Sequence, residues 1–488
     1  MLCLAVIARK QGIYMKVKDR ISTKIVCTMG PAVNEYEKIL ELIDAGMNVA
    51  RLNFSHGTFD THLAVIEKLK KARDAKGIPL AIMLDTKGPE IRLGKIPDGS
   101  LPVSCKERVH LVRTKEDAGI LVTPEVVFDY LEAGHTVLFD DGYIAATVVE
   151  KTKEGALIEI KNAGTLKSQK GVNLPGVKVP LPAMTTEDID ALIFGCKHGV
   201  DVIAASFIRS AEHVLEIKKL LASQGRPDIT VIAKIENRQG VENFDAILQV
   251  ADGIMVARGD LGVELPLYEV PGLQKMMIHK CYTLGKPVIT ATQMLESMIQ
   301  NPRPTRAEVS DVANAIYDST SAVMLSGETA VGKYPVETVK MMKSIILESE
   351  KEFDYRTFFY QNTRKAVYDV PSSVALATVN TAYSLNAKAV FVFTSSGFTA
   401  RLLSRFRPEI PIFALTATKE SYHRMALLWG VVSVPPYQAT NMQEAFMKVS
   451  DFIRELDLVK KGDSVLITAG SPFGISGTTN MMVVEKMP

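Results

Sequence analysis

Eight short runs rich in Val, Ile and Ala, each followed by a stretch of helical periodicity, constrain this chain more than any other feature. In order they read "KIVCT", "VARLNFS" and "AIMLDT", then, after a gap, "DVIAASF", "VIAKIE", "GIMVAR", "PVITAT" and "AVMLSGE". Continuous apolar runs suit strands covered on both faces. Their alternation with amphipathic helices suits a parallel sheet of βα units. Segments such as "NEYEKILELIDAG", "SAEHVLEIKKLLASQG" and "RAEVSDVANAIYDS" supply the helices, several opening on an N-cap residue and closing on Gly. Eight such units predict an α/β fold, a (β/α)8 or TIM barrel.

The polar residues of these runs fall at their carboxyl ends: Arg51, Asn53, Ser55, Asp85, Lys234, Glu236, Asp260, Thr292, Ser326 and Glu328. In a barrel that end carries the active site, because the βα loops and the last inward-facing residues converge there. Lys234 and Glu236, two residues apart on one strand, point from the same side. A purely structural ion pair explains two charges, but not their company.

The gap, residues 89–182, has another texture. "LPVSCKERVHLV", "HTVLFDDGY", "IAATVVEKT", "ALIEIKNAG" and "GVNLPGVKV" are short β-like runs between Gly, Asp-Asp-Gly and Pro turns. They predict a small β-barrel domain inserted after the third barrel strand and placed to act as a lid. The barrel then occupies residues 16–88 and 183–353. From 354 to 488 a second, smaller α/β pattern begins: a helix in "SSVALATVNTAYSLNA", strand "KAVFVFT", helical "TARLLSRFRP" and strand "PIFALTA". It continues with a helix in "SYHRMALLWG", strand "VVSVP", a long helix through "AFMKVSDFIREL" and strand "SVLITAG". Residues 1–15 are expected to be an extension: "MLCLAVI" is too short to span a bilayer and has the wrong flanks for a signal peptide.

With 488 residues the chain needs several cores. Lys+Arg 57 against Asp+Glu 55 leaves a net charge of +2, which gives no reason to expect a nucleic-acid or membrane partner. Five cysteines without a CxxC pair read as reduced thiols of a cytoplasmic protein.

Glu236 and Asp260 end neighbouring strands, and paired carboxylates beside phosphate chemistry suit Mg2+. Lys234 beside them suits neutralisation of a transferring phosphoryl group; a network that merely stabilises the barrel mouth is the bland alternative. Asn53, Ser55, Asp85 and Thr86 form an oxygen-rich set that suits a weakly hydrated monovalent cation, although ordinary turn hydrogen bonding explains them equally well. Gly259 allows close approach of a substrate carboxylate to backbone N–H groups. "FTSSGFTAR", with Thr394, Ser395, Ser396, Gly397 and Thr399, is either a phosphate-binding turn or simple helix capping.

The motifs "KIVCTMGP", "ARLNFSHG", "LDTKGPEIR", "KGVNLPG", "IAKIEN", "MVARGDLGVE", "ATQMLESM", "PTRAEVSDVANA" and "MLSGETA", in this order from Ile21 almost to the C-terminus, closely resemble the pyruvate kinase family. The resemblance implies transfer of the phosphoryl group of phosphoenolpyruvate to ADP, giving pyruvate and ATP, with Mg2+ (or Mn2+) and K+ as cofactors. It makes Lys234 the transition-state stabiliser and Glu236 and Asp260 the Mg2+ ligands. Arg51, Lys234, Gly259, Asp260 and Thr292 become the substrate contacts, and Asn53, Ser55, Asp85 and Thr86 the K+ site. Asn53, Phe54, Ser55, His56, Arg92 and Lys170 fall beside the nucleotide, and Thr292, Ser326 and Glu328 along a proton relay. It also implies a homotetramer. Thr61 stands where animal members carry Tyr near the adenine. "GSPFGISGTTN" lacks the Trp and Arg with which they grip fructose 1,6-bisphosphate. An effector of the AMP or sugar-monophosphate kind at Thr394–Thr399 is therefore expected. A Mg2+-enolate lyase or aldolase on the same barrel is the alternative; it needs neither Lys234 nor the K+ cluster.

Glu90 follows "TKGP", where K+-independent members carry Lys as a built-in cation. Turnover is therefore expected to collapse when K+ is omitted from an assay containing Mg2+. An unchanged rate would remove Asn53, Ser55, Asp85 and Thr86 from any cation site.

Overall fold

The computed structural model describes residues 20–363, 369–437, 439–455, 459–473, 475 and 477–487; the expected extension at 1–15 lies outside them. All eight apolar runs become strands of one closed parallel barrel. In chain order these are Lys24–Thr28, Val49–Asn53, Ala81–Asp85, Val202–Ala205, Thr230–Ile235, Gly253–Ala257, Val288–Ala291 and Ala322–Leu325. Val26, Val49, Met83, Ala204, Ile232, Met255, Ile289 and Met324 fill its interior, one from each strand. An outer cluster seals strands to helices, through Ile25, Leu42, Leu69, Ile203, Val231 and Val339 among others. The helices start where the sequence supplies caps. Thr305 and Glu308 satisfy each other's backbone N–H groups at the start of Arg306–Tyr317, and Thr185 and Asp188 do the same before Thr186–Lys197.

The insertion folds around its own core, which includes Phe128, Phe139, Leu111 and Ile158. It forms one seven-stranded and one two-stranded sheet. Two runs differ from expectation. "LPVSCKERVHLV" breaks into Ser100–Val103 and Arg108–Val112, because Lys106 takes a left-handed φ of 69° between them. "GILVT" contributes a further strand, Ile120–Thr123. The insertion is tied to the barrel by Asn173 Nδ2 donating to Glu264 Oε1 at 2.9 Å and by Lys178 pairing with Glu242 at 2.8 Å.

The C-terminal unit is a five-stranded sheet. Its last strand, Thr479–Lys486, lies antiparallel on Ser464–Gly470 and was missed in the sequence because half its residues are not apolar. The helix expected across "SYHRMALLWG" is short, Lys419–Arg424. A tighter turn, Met425–Leu427, follows it and drives Ala426 and Leu427 into the barrel's own interior cluster. The unit therefore plugs the amino end of the barrel, the end opposite the converging polar residues. Around the plug, Tyr422 Oη donates to Gly77 O at 3.0 Å, Gly430 N to Ser22 O at 2.9 Å and Lys24 Nζ to Val431 O at 2.9 Å. No helix of the described residues is long and apolar enough to cross a membrane.

His423 sits in this seam, only 5% exposed, and its Nδ1 accepts from Leu80 N at 3.4 Å. Burial, helped by Arg73, pushes its pKa down from 6.5 to about 3. The folded state holds it neutral, so as pH falls below 6.5 only the unfolded chain gains the proton and stability is lost. Between pH 7.5 and 5.5 this amounts to about 1.4 kcal/mol. Urea unfolding at both pH values should show His423→Gln losing that much less than the parent; equal losses would place the seam's acid sensitivity elsewhere.

Candidate active site

The inward phase of each strand runs on beyond its apolar residues. Two positions after Val49 comes Arg51, after Met83 Asp85, after Ala204 Ser206, and after Ile232 first Lys234 and then Glu236. Period-2 alternation thus delivers these groups into one mouth. Asp85 is the hub and has no exposed surface. Arg51 Nε donates to its Oδ2 at 2.6 Å and Lys234 Nζ to its Oδ1 at 2.9 Å. Lys234 also donates to Ser206 Oγ at 2.7 Å and pairs with Glu236 Oε1 at 3.0 Å. Arg51 Nη1 is steadied by Thr28 Oγ1 at 2.9 Å.

Burial alone would raise Asp85, but Arg51 and Lys234 outweigh it and hold the carboxyl below its usual range. Burial likewise opposes the charge on Lys234, and Asp85 and Glu236 overcome it. Glu236 differs: burial, joined by the Asp260 carboxylate and resisted by Lys234, lifts it to about 7. Asp260, at the start of helix Arg258–Glu264, is raised by burial and by Asp141, Glu90 and Asp85, against Lys234. Three carboxylates therefore share two cations, with the excess negative charge at Glu236 and Asp260. Hard oxygen donors in negative surplus are what Mg2+ or Mn2+ requires, so these two residues fit such an ion.

Asn53 and Asp85 are register partners on adjacent strands, and Asn53 Oδ1 accepts from Ser55 N at 3.1 Å. Thr86 Oγ1 accepts from Ser206 N at 3.1 Å, and its carbonyl from Ser206 Oγ at 2.6 Å. This oxygen-lined edge is compatible with K+, and it is built as well from the turn hydrogen bonds expected of such residues. Phe54 stacks on His62 with centroids 4.0 Å apart. His56 is exposed, and its carbonyl meets His62 Nε2 at 2.8 Å.

Thr292 Oγ1 accepts from Gly259 N at 2.7 Å, which joins the ends of the sixth and seventh strands. Thr292 and Gln293 both have left-handed φ, 67° and 52°. Arg258 holds this turn: its guanidinium donates to Thr292 O at 2.7 Å and to Ala291 O at 3.2 Å, and reaches Asp311 at 2.8 Å. Glu328 is fully buried, and its oxygens accept from Leu295 N at 3.1 Å and Ser326 N at 2.7 Å. It braces two loops here. Arg92 and Lys170 lie together at the base of the insertion. Arg92 pairs with Glu90 and donates to Gln169 O at 2.8 Å, and Lys170 pairs with Asp140 at 2.7 Å. A cavity of about 260 Å3 between insertion and barrel is lined by Glu90, Asp141, Asp260 and Asn237 among others.

Thr394–Thr399 lies apart from this mouth, in the C-terminal unit. Gly397 (φ 86°) donates to Thr394 Oγ1 at 3.0 Å, and Thr399 Oγ1 meets Thr479 Oγ1 at 2.6 Å. A small cavity there is shared with Phe473 and Thr478.

Sequence reasoning missed Ser206, Phe207, Arg258 and Asp311. Ser206 follows the inward phase of "DVIAASF" and was there to be read. Phe207 was not: its φ of 53° belongs to the loop, and its N–H donates to Glu236 Oε2 at 2.5 Å.

Comparison with known proteins follows the same lines. The family description "Pyruvate kinase, barrel domain" matches residues 20–339, and "Pyruvate kinase, alpha/beta domain" matches 372–485. The chain is 47% identical over 472 residues to a pyruvate kinase of Geobacillus stearothermophilus, covering 95% of this chain and 80% of that one. It is 50% identical over 416 residues to one of Chlamydia trachomatis serovar D, covering 84% and 86%. A solved pyruvate kinase from Cryptosporidium parvum superposes with a TM-score of 0.91 at 36% identity, over 97% of each chain. The enolate lyase or aldolase alternative finds no support among these relatives.

Gly88 tests the local geometry. Its φ is 77°, and a Cβ there would lie 2.7 Å from Phe207 Cδ2 and 2.8 Å from Ser206 Cβ. Gly88→Ala must displace the two residues that position Glu236 and Lys234. It is expected to lower kcat/KM by roughly a hundredfold with the circular dichroism spectrum retained. Unaltered kinetics would mean that this contact does not set the site.

Proposed function

The chain belongs to the pyruvate kinase family, and from that premise we propose how its own residues carry the reaction. The reaction is transfer of the phosphoryl group of phosphoenolpyruvate to ADP, giving pyruvate and ATP; divalent-metal and K+ dependence is general to the family. The observation that carries the residue assignment is the Asp85–Lys234–Glu236 network with Ser206.

Phosphoryl transfer asks the protein for position and charge more than for covalent chemistry. Lys234, held by Asp85, Ser206 and Glu236, presents its ammonium to the equatorial oxygens of the phosphoryl group. Arg51, restrained by Asp85 and Thr28, supplies a second cation on the same side. Gly259 N–H and Thr292 Oγ1 orient the substrate carboxylate beside Asp260. Glu236 and Asp260 hold Mg2+, which when bound neutralises the phosphate and the enolate oxygen. Asn53, Ser55, Asp85 and Thr86 hold K+. Asn53 to His56 line the nucleotide from the barrel side, and Arg92 and Lys170 reach its phosphates from the insertion, which closes as a lid to exclude water. The hydroxyl of Thr292 passes a proton to the enol carbon and regains one from solvent water by way of Ser326 and Glu328.

The same reading assigns residues 16–88 and 183–353 to the catalytic barrel, 89–182 to the lid and 354–488 to a regulatory domain. Thr394, Ser395, Ser396, Gly397 and Thr399 take a phosphorylated effector such as AMP or a sugar phosphate, and the enzyme works in the cytoplasm as a homotetramer. Support for the effector loop comes from its clustered hydroxyls beside a cavity.

Lys234→Met separates the two half-reactions. Phosphoryl transfer, followed by pyruvate release from phosphoenolpyruvate and ADP, should fall at least about a thousandfold. Exchange of the methyl hydrogens of pyruvate with deuterated solvent, read by NMR, should persist. Equal loss of both activities would make Lys234 a structural cation and overturn its assigned role.

A further inference from the structure

A cavity of about 340 Å3 opens between the amino end of the barrel and the C-terminal unit, at the far end of the barrel from the catalytic mouth. Its lining mixes two chemistries. Phe398, Met425, Leu428 and Pro287 are apolar, and Lys218, Arg401 and Arg424 are accompanied by Asp228 and Asp252.

Both carboxylates are already engaged. Asp252 takes Lys218 Nζ at 2.7 Å and Val231 N at 2.9 Å on its two oxygens. Asp228 takes Arg226 through both oxygens, at 2.9 and 3.0 Å. Arg424 donates to the Asp228 carbonyl and, at 3.1 Å, to Ser421 Oγ. Arg401 makes no hydrogen bond or ion pair among the described residues: its guanidinium lies over the Phe398 ring, 5.6 Å from the centroid, and the Asp252 carboxylate acts on it only from a distance. Positive charge accumulates here: burial, then the charge of Arg401, pushes nearby Lys286 down to about 8.

We propose that this junction cavity binds a small organic phosphate or carboxylate, its anionic head on Arg401 and a flat apolar body against Phe398, Met425 and Leu428. The volume falls in the range of small-ligand sites, and an apolar surface combined with a charged donor not engaged elsewhere is a usual make-up for them. A water-filled gap would not need an unpaired guanidinium facing an aromatic wall. The position also has consequences. Ile229 and Thr230 on the cavity wall open the strand that carries Lys234, Asp252 leads into the strand before Asp260, and Pro287 into the strand before Thr292. Ser396, Gly397 and Phe398 face this cavity while Thr394, Ser395 and Thr399 face the other. One loop is thus the partition between two sites. The binding claim stands without the catalytic reading, because its test measures occupancy.

Binding is read by isothermal titration calorimetry on the full chain, because Trp429, its single tryptophan, packs under Arg407 in the seam and is no part of the cavity lining. Titration with phenyl phosphate should give a saturable change. Inorganic phosphate and benzyl alcohol, which carry only head or only body, should each bind at least roughly tenfold more weakly, a difference of about 1.4 kcal/mol. Arg401→Gln should weaken phenyl phosphate by a similar factor. Should that variant fail to fold, crystals of the parent chain soaked in phenyl phosphate decide, with density expected beside Arg401. Absence of saturation, undiminished binding by Arg401→Gln, or density confined to the catalytic cleft or the Thr394–Thr399 cavity would overturn the proposal.

Discussion

One carboxylate organises the catalytic mouth. Asp85 is wholly inside the protein, where an isolated negative charge is far from affordable. It persists because Arg51 from the second strand and Lys234 from the fifth each neutralise one oxygen. Breaking such a buried set by removing one partner costs on the order of 3–5 kcal/mol, so the three side chains define one another's positions. That has a chemical consequence. Two cations are fixed by the fold itself, and on the proposed assignment to the phosphoryl group no reorganisation is required during transfer. The same arithmetic leaves Glu236 and Asp260 short of positive charge, the electrostatic condition for recruiting a divalent ion.

A second layer keeps the first in place at the expense of backbone comfort. Phe207, Thr292 and Gln293 are left-handed without being glycine, a conformation that costs roughly 1–2 kcal/mol per residue. Each is held by something specific. Phe207 is anchored by Glu236 and flanked by Gly88, which has no side chain to obstruct it. Arg258 grips the carbonyls of Ala291 and Thr292, and Asp311 fixes Arg258. Strain of this kind collects where geometry matters more than stability. Here it aims the Glu236 carboxylate and brings the Thr292 hydroxyl to the Gly259 N–H.

Much of this was legible in the sequence because a barrel is a periodic object. Continuous Val, Ile and Ala runs specified eight buried strands, and the alternation of two residues specified which polar side chains enter the mouth. Lys234 and Glu236 were readable on that ground, and Ser206 equally so. What stayed illegible depends on contacts between segments distant in the chain. Nothing local in "MVARGD" says that Arg258 will hold a turn more than thirty residues later. Glu328 is readable by its place after a strand, but not the bracing contacts its oxygens make with the N–H groups of Leu295 and Ser326. The strand Thr479–Lys486 escaped because this edge strand is only half apolar and largely partly exposed, so its pattern lacks the long apolar run that marks the others.

The C-terminal unit is no loose appendage. Barrels usually close their amino end with their own side chains, but here Ala426 and Leu427 complete the interior packing. Arg407 from the same unit is buried and donates to Ser319 O at 2.9 Å and Ser321 Oγ at 3.0 Å, just ahead of the eighth strand. Among the described residues no carboxylate bonds to it; it has carbonyl and hydroxyl acceptors, the face of Trp429, 4.9 Å away, and the more distant charge of Glu350. Such a guanidinium tolerates little displacement, since any lost acceptor leaves buried charge uncompensated. Rotation of the unit must therefore either carry the strand ends with it or break the seam. The first and third strands end, at their other extremity, at Thr28 and Asp85, within the charge cluster itself. Plug and charge cluster thus occupy the two ends of one closed sheet.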